Sequence, residues 1–408
     1  MRRRNALIAV AAVTGPGLLA GLSDDDPAGI TTYSILGTDE GYRLLWVLLL
    51  STLALVVFHE LGARIGIVTG QGLAGIVRER YGVRVAALAL GALVVANLGT
   101  TCAEFAGVAV AGDLAGIPRY LSVPAAAMGV SLLVLRGSFH RVEHVLLALS
   151  AVFVAYIASG LLAGPDWQAA ARGMVVPSLP LTREAVLLAT ATVGTTLAPW
   201  GLAFIQSYAV DKRLKPSDLS LERVDVVVGV VMTGVIGFFV VVSCAATLHE
   251  TGRSIEDAGD AAIALEPLAG TAASTLFGLG LLGAALLAAS VLPLSTAYSV
   301  CEAVGHEAAL DDSVRSAPLF YGTYAAVVAG AVAIVLVPGM PLVPILYLTQ
   351  ALNAVLLLPL LALIVGIARD PDLMGLHTLS RRGTFAATAT ICFVSLAVAG
   401  LGILTLIG

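Results

Sequence analysis

Long, uninterrupted apolar runs recur from one end of this chain to the other. "LLWVLLLSTLALVVF", from Leu44 to Phe58, is representative. About 20 apolar residues in a helix cross a ~30 Å hydrocarbon core. Inside a bilayer each backbone polar group must find a partner within the protein, which leaves helices or closed barrels. A barrel strand alternates polar and apolar residues over ~10 positions, whereas these runs are continuous. Only 12% of the residues are charged and 58% are hydrophobic, against about 25% charged in a soluble domain. The sequence therefore predicts an all-α polytopic membrane protein.

Breakers between the runs give eleven predicted spans: 6–37, 44–70, 84–114, 119–136, 141–163, 183–211, 222–248, 268–304, 316–338, 341–368 and 384–407. The first, third, sixth and eighth are long or interrupted. Arg2, Arg3 and Arg4 before an apolar stretch resemble a signal peptide, but the run continues into further spans and reads as a cytoplasmic start. With the N-terminus inside, 16 Lys and Arg residues fall on the cytoplasmic side and 5 outside, with Arg64 in or near a helix. That bias obeys the positive-inside rule and puts the C-terminus outside. Short loops and compact length fit a bacterial plasma-membrane protein. The four cysteines lie inside apolar runs without metal-binding spacing, so they read as small buried hydrophobes.

Two spans carry a proline among small residues: "DDDPAGI" (Asp24–Ile30) in the first and "TTLAPWGL" (Thr195–Leu202) in the sixth. Proline removes a backbone donor and clashes with the preceding turn, so both helices are expected to break there. Unpaired backbone at membrane depth is tolerated only where protein or a wet cavity satisfies it. Matching breaks five spans apart predict a LeuT-type 5+5 inverted repeat plus one extra helix, with the substrate site at the breaks. The corresponding segments are 1–163 and 183–368 for the two repeats, 164–182 for an external loop, and 369–408 for a cytoplasmic loop and the extra helix.

A carboxylate at bilayer depth is costly and usually functional. Asp26 directly precedes the first break, and the last carbonyls of the half-helix around Thr195–Ala198 carry partial negative charge. Together they predict an oxygen-lined cation site. Asp24 and Asp25 are either vestibule charges or further ligands; a solvated loop is the alternative for all three acids. Glu104, in the third span, is expected to face the site. Gln350 and Asn353 in the tenth span, and Asn97 in the third, either line the pathway or bond neighbouring helices. His59 and Glu60 lie near the middle of the second span, and Glu60 with Arg64 has the spacing of an ion pair on one helix face; a second metal site is the alternative reading of these residues. The acids and His249 of the loop Glu250–Asp260 read as a solvated rim, as do His140, Glu143, His144, His306 and Glu307.

The order of several motifs resembles the Nramp-type divalent metal transporters. That family's G-P-G-x-L-A, D-P-G-N and G-Y-x-L-L-W are matched by "GPGLLAGLSDDDPAGITTYSILGTDEGYRLLW"; its L-G-I-V-T-G by "ARIGIVTG" from Ala63; its polar eighth-helix segment by "LPLSTAYSVCEAVG" from Leu292. The resemblance implies metal contacts at Asp26, Gly29, Thr195 and Ala198, and a pathway past Thr101, Glu104 and Trp200. It also implies departures. Gly29 stands where the family has Asn, Ala198 where it has Met, Trp200 and Ile205 where it has His, and Thr101 where it has Asp.

Loss of the soft thioether removes a preference for transition metals. An oxygen-lined site with more room suits Mg²⁺, which keeps its waters. The pattern resembles the Nramp-related magnesium transporters, and uptake of partly hydrated Mg²⁺, with Mn²⁺ a possible second substrate, is expected. Histidine is the side chain that titrates near neutral pH, so its absence from the sixth span predicts uptake without proton coupling. A 100 mV inside-negative potential alone gives a divalent ion ~4.6 kcal/mol. The alternatives are a proton-coupled Mn²⁺/Fe²⁺ symporter and, more remotely, a sodium-coupled organic-solute symporter or a channel. No Walker loop, catalytic signature or basic nucleic-acid patch occurs, so the expected partners are the metal ion and the lipid bilayer, for a monomer without cofactor, ATP or nucleic acid.

Overall fold

The computed structural model describes residues 24–135, 154–255, 258–306 and 313–407, and no strand occurs among them. The helices, in chain order, are α1 (Pro27–Glu40), α2 (Leu45–Thr69), α3 (Leu73–Tyr81), α4 (Val83–Leu114), α5 (Arg119–Leu135), α6 (Ala155–Leu162), α7 (Trp167–Val175), α8 (Arg183–Thr196), α9 (Pro199–Asp211), α10 (Leu219–Cys244), α11 (Ala273–Val304), α12 (Pro318–Val335), α13 (Leu342–Ala368) and α14 (Arg381–Ile407).

Among the described residues, eight helical stretches are long and apolar enough to cross a membrane, α8 and α9 together counting as one. α5 has 17 residues. For the first and fifth predicted spans only α1 and α6 are described, so the count of eleven rests on residues outside the described set. Proline does not break α11: Pro293 sits inside a continuous 32-residue helix. α3 and α7 were read from the sequence as loop. α3 buries Leu73, Ile76 and Val77 on one face and carries Arg78 and Arg80 in its last turn, the amphipathic pattern of a surface helix. Arg80 pairs with Asp370 at 2.6 Å.

The broken pair α8–α9 occupies the centre. α8 packs on α13, α1 and α14, α9 packs on α2, and α10 lies across α1 and α2. On the other side α4 packs against α11 and α13. α14 lies at the periphery, where Phe385 and Leu396 are largely exposed, as suits a lipid-facing helix. Apolar side chains gain little by leaving lipid for protein, so small residues and polar bonds hold such helices together. A Cβ on Gly66 of α2 would stand 2.5 Å from the Gln206 carbonyl of α9. The expected Glu60–Arg64 pair is present, with Arg64 Nε donating at 3.0 Å. Arg223 of α10 donates to the same carboxylate at 2.7 Å, so the pair also ties two helices together.

Gly66→Ala is expected to lower the melting temperature of the purified protein, the added carbon costing about 1–3 kcal/mol by overpacking. Gly91→Ala, where a Cβ meets nothing within 4 Å, is the control and is expected to be neutral or stabilising by up to about 1 kcal/mol. Equal melting temperatures for both variants would mean that the α2–α9 contact is not tight.

Candidate metal site

α1 begins where its sequence says it should. Asp26 is the N-cap, in extended conformation, with Pro27 in the first turn. Its Oδ1 accepts from the Gly29 amide at 2.5 Å, which satisfies one of the four free amides at a helix start. The first half of the expected broken helix, before Asp24, lies outside the described residues. The second break is fully described. α8 ends at Thr196; Leu197 (φ −108°, ψ 54°) and Ala198 (φ −66°, ψ 133°) leave helical geometry; α9 restarts at Pro199. The last turn of α8 thus presents carbonyls that no helical amide can reach, and the Leu197 amide closes back on Val193 at 2.9 Å.

The start of α1 and the end of α8 meet at Gly29. A Cβ there would stand 2.7 Å from the Asp24 carbonyl oxygen, 3.2 Å from Asp26 Oδ1 and 3.4 Å from Thr195 Oγ1. Three oxygens, two from the start of α1 and one from the last turn of α8, line the place a side chain would take. Gly29 lets them converge. Tyr33 of α1 bonds Thr196 at 2.9 Å and fixes the two half-helices against each other.

Four carboxyl groups surround this point. Asp24, Asp25 and Asp26 are 2%, 2% and 4% exposed and Glu104 is wholly buried, which removes the solvated-loop reading of the triplet. Asp26 and Glu104 are side-chain neighbours, and Asp24 and Asp25 lie within electrostatic reach of Asp26. Both oxygens of Asp24, Asp25 and Glu104, and the hydroxyl of Thr195, have no hydrogen-bond partner among the described residues. Buried charge without a partner is severely unfavourable. The arrangement therefore calls for cations or protons. Among the described residues no three His, Cys, Asp or Glu side chains form a ready-made cage, so an ion here would take carboxylate and main-chain oxygens and keep water.

Ala198 and Trp200 are buried in the break. The Ala198 carbonyl accepts from Gly201 at 3.2 Å, and Trp200 leads an aromatic column with Phe204 and Tyr208. The remaining polar residues are engaged at helix interfaces. Asn97 donates to Thr296 of α11 at 2.9 Å. Asn353 donates to Thr100 of α4 at 2.9 Å and to Gln350 at 3.0 Å. Thr101 is turned back onto the Asn97 carbonyl at 2.6 Å. For Asn97 and Asn353 the bonds to Thr296 and Thr100 are the helix-bonding roles that the sequence left open beside a pathway role; Thr101 and Gln350 are bonded within their own helices.

The sequence weighs His59 with Glu60 as a second metal site but does not place it beside the α8–α9 break. His59 is wholly buried in α2 and faces Gly201 of α9. His249, expected on a solvated rim, instead sets Nδ1 2.7 Å from the Thr38 carbonyl. It borders a cavity of about 300 Å³ lined also by Glu40, Tyr42, Arg43 and Arg172. Glu256, Asp257, His140, Glu143, His144 and Glu307 lie outside the described residues.

The chain matches the family described as "Natural resistance-associated macrophage protein-like" over residues 17–405. It is 29% identical to the divalent metal cation transporter MntH of Burkholderia ambifaria, across 97% of this chain and 89% of that protein. Its structure is similar to that of the Eremococcus coleocola manganese transporter in complex with an aromatic bis-isothiourea compound, with a TM-score of 0.80 at 18% identity over 95% of this chain and 85% of that one. Mhp1, a nucleobase-cation-symport-1 family transporter, is a more distant structural relative, with a TM-score of 0.52 at 15% identity over 96% and 92% of the two chains. At these identities the structures speak to fold alone, and the fold is the expected LeuT type.

Gly29→Ala is expected to displace the Asp24 carbonyl or the Asp26 cap and to weaken divalent-cation binding by on the order of tenfold, an effect of the size seen when groups around a metal are disturbed. Isothermal titration of the purified protein checks this; unchanged affinity would mean that the convergence at Gly29 is packing only.

Proposed function

The chain belongs to the Nramp family, and from that premise we propose that it carries divalent metal cations across a membrane by alternating access, binding them between the two helix breaks. The observation that carries this reading is the set of four sealed carboxyl groups gathered where α1 begins and α8 ends. Asp26 and the main-chain oxygens of the α8 terminus are the proposed principal ligands, with Gly29, Thr195 and Ala198 shaping the pocket and Glu104 facing the ion or its water. Asp24, Asp25, Thr101 and Trp200 lie along the proposed path. Repeats over 1–163 and 183–368, a cytoplasmic N-terminus and a bacterial plasma membrane belong to the same reading.

On substrate, the proposal is a hard, oxygen-rich pocket that admits Mg²⁺ as well as Mn²⁺. Support comes from alanine at position 198, which offers no soft donor, and from the oxygens that crowd Gly29. Uptake driven by the ion gradient and membrane potential is the corresponding proposal for energetics, supported by the absence of histidine from α8 and α9. A second reading is a proton-coupled Mn²⁺ symporter. It is favoured by the names of the relatives and by Glu104, an enclosed carboxyl beside Asp26 that is placed to exchange a proton with it.

Proteoliposomes separate the two. The first reading expects Mg²⁺ and Mn²⁺ entry under an inside-negative potential without internal acidification; Mn²⁺ entry with acidification and no Mg²⁺ flux would establish the second. In either case Asp26→Asn is expected to reduce flux by at least about a hundredfold, since it removes the one carboxylate fixed at the break. Flux retained in that variant would move the site elsewhere. Ala198→Met is expected to shift competition toward Cd²⁺ over Mg²⁺, and an unchanged order of preference would take residue 198 out of the pocket wall.

A further inference from the structure

His59 is an unusual residue to seal inside a lipid-spanning helix. It lies in mid-α2, wholly buried, and neither ring nitrogen has a hydrogen-bond partner among the described residues. A buried imidazole that bonds nothing forfeits the interactions it would have in water. Its neighbour across the helix interface is Gly201, in the first turn of α9. The place a Gly201 Cβ would occupy lies 3.2 Å from His59 Nε2 and 3.8 Å from Asp24 Oδ1. A niche left by the missing side chain is therefore lined by an imidazole nitrogen and a carboxylate oxygen. Both oxygens of Asp24 are likewise without a partner. The N-terminus of α9 favours negative charge here and accounts in part for Asp24, but its amides offer the imidazole no partner and His59 is left unexplained.

We propose that His59 and Asp24 form a second cation position, an N,O pair across Gly201, beside the Asp26 pocket. The occupant is a first-row transition ion such as Mn²⁺ that completes its shell with water. Imidazole suits Fe²⁺ and later first-row ions and binds Mn²⁺ more weakly, whereas Mg²⁺ keeps to oxygen ligands. A preference for transition metals that the alanine at 198 does not provide thus enters from α2. The inference rests on the Asp26 pocket being the ion's route, because the niche opens off the same break.

The test uses full-length protein in nanodiscs loaded with Mn²⁺ and examined by electron spin-echo envelope modulation. Wild-type protein is expected to show coupling to a directly bound ¹⁴N nucleus that changes when histidine is labelled with ¹⁵N. His59→Gln is expected to abolish the coupling and to weaken Mn²⁺ binding by on the order of tenfold, with Mg²⁺ binding changed by less than about twofold. Gly201→Ala, which puts a carbon into the niche and leaves the imidazole in place, is expected to reproduce both effects. Asp26-dependent Mn²⁺ binding without histidine coupling in the wild type would overturn this proposal and leave the transport reading intact. Mn²⁺ binding that survives Asp26→Asn with the coupling retained would keep the His59 position and overturn the Asp26 pocket. A wild-type protein that binds no Mn²⁺ overturns the pair.

Discussion

A helix that breaks inside a bilayer must place its freed amides and carbonyls somewhere, and among the described residues the α8–α9 break does so beside the capped start of α1. Asp26 caps the start of α1 through the Gly29 amide. The last carbonyls of α8 face the same region across Leu197 and Ala198. The first device puts an acid at the positive end of one helix, the second puts carbonyl dipoles at the negative end of another. Their juxtaposition makes a region of concentrated negative potential. Hydrocarbon cannot solvate it and solvent does not reach it.

Holding two half-helices together without covalent continuity requires close backbone contact, and glycine supplies it. Gly107 of α4 receives the ring of Pro27, Gly37 of α1 receives the Val241 carbonyl of α10, and Gly194 of α8 receives the Gln350 carbonyl of α13. Each contact pins one side of a break to a continuous helix. Hydrogen bonds add direction where packing alone would slide. Tyr33 to Thr196 joins the half-helices themselves, and Asn97 to Thr296 and Asn353 to Thr100 join the long helices that flank them. The continuous helices thus form a frame in which the broken ones are held, and a frame of this kind can rock while the breaks keep their local geometry.

The spans were legible because lipid imposes a length and an apolar composition that few other folds share: α2, α4 and α13 lie within a residue or so of the runs that announce them. The breaks were legible because proline among small residues has one physical consequence at membrane depth, and Pro199 produced it. Pro293 did not, because a proline in a long packed helix can be accommodated when neighbouring groups satisfy the freed carbonyl; nothing local distinguishes the two. That Gly29 would border oxygens of both α1 and α8 was not legible, because substitution size says how much volume is lost, not which atoms line it. The position of His59 at the break was not legible for a different reason. A single histidine on an apolar face has no periodic partner, and its relation to Gly201 and Asp24 exists only after α2 has packed on α9. α3 and α7 escaped because nine-residue amphipathic helices carry a signal no stronger than that of a loop rich in charge.

Selectivity has to come from outside the carboxylates. Asp26 spends one oxygen on its own helix cap, and carboxylate or carbonyl oxygen binds Mg²⁺, Mn²⁺ and Ca²⁺ without strong preference beyond size and hydration. The concentration of acid at the breaks therefore explains why a divalent cation would enter and gives no reason for one divalent cation over another. Discrimination then depends on the non-oxygen positions that border the same space. One is residue 198, where alanine withholds sulfur; the other is residue 59, where imidazole stands across the interface. On the readings proposed above, these two positions pull in opposite directions, toward Mg²⁺ and toward Mn²⁺, and they lie on different helices, α2 and the α8–α9 break. Under the proposed alternating access, broken helices move relative to continuous ones, and the distance between His59 and the break would change during transport. Preference among metals would then be a property of the conformation that presents the ion to His59, and not of the Asp26 pocket alone.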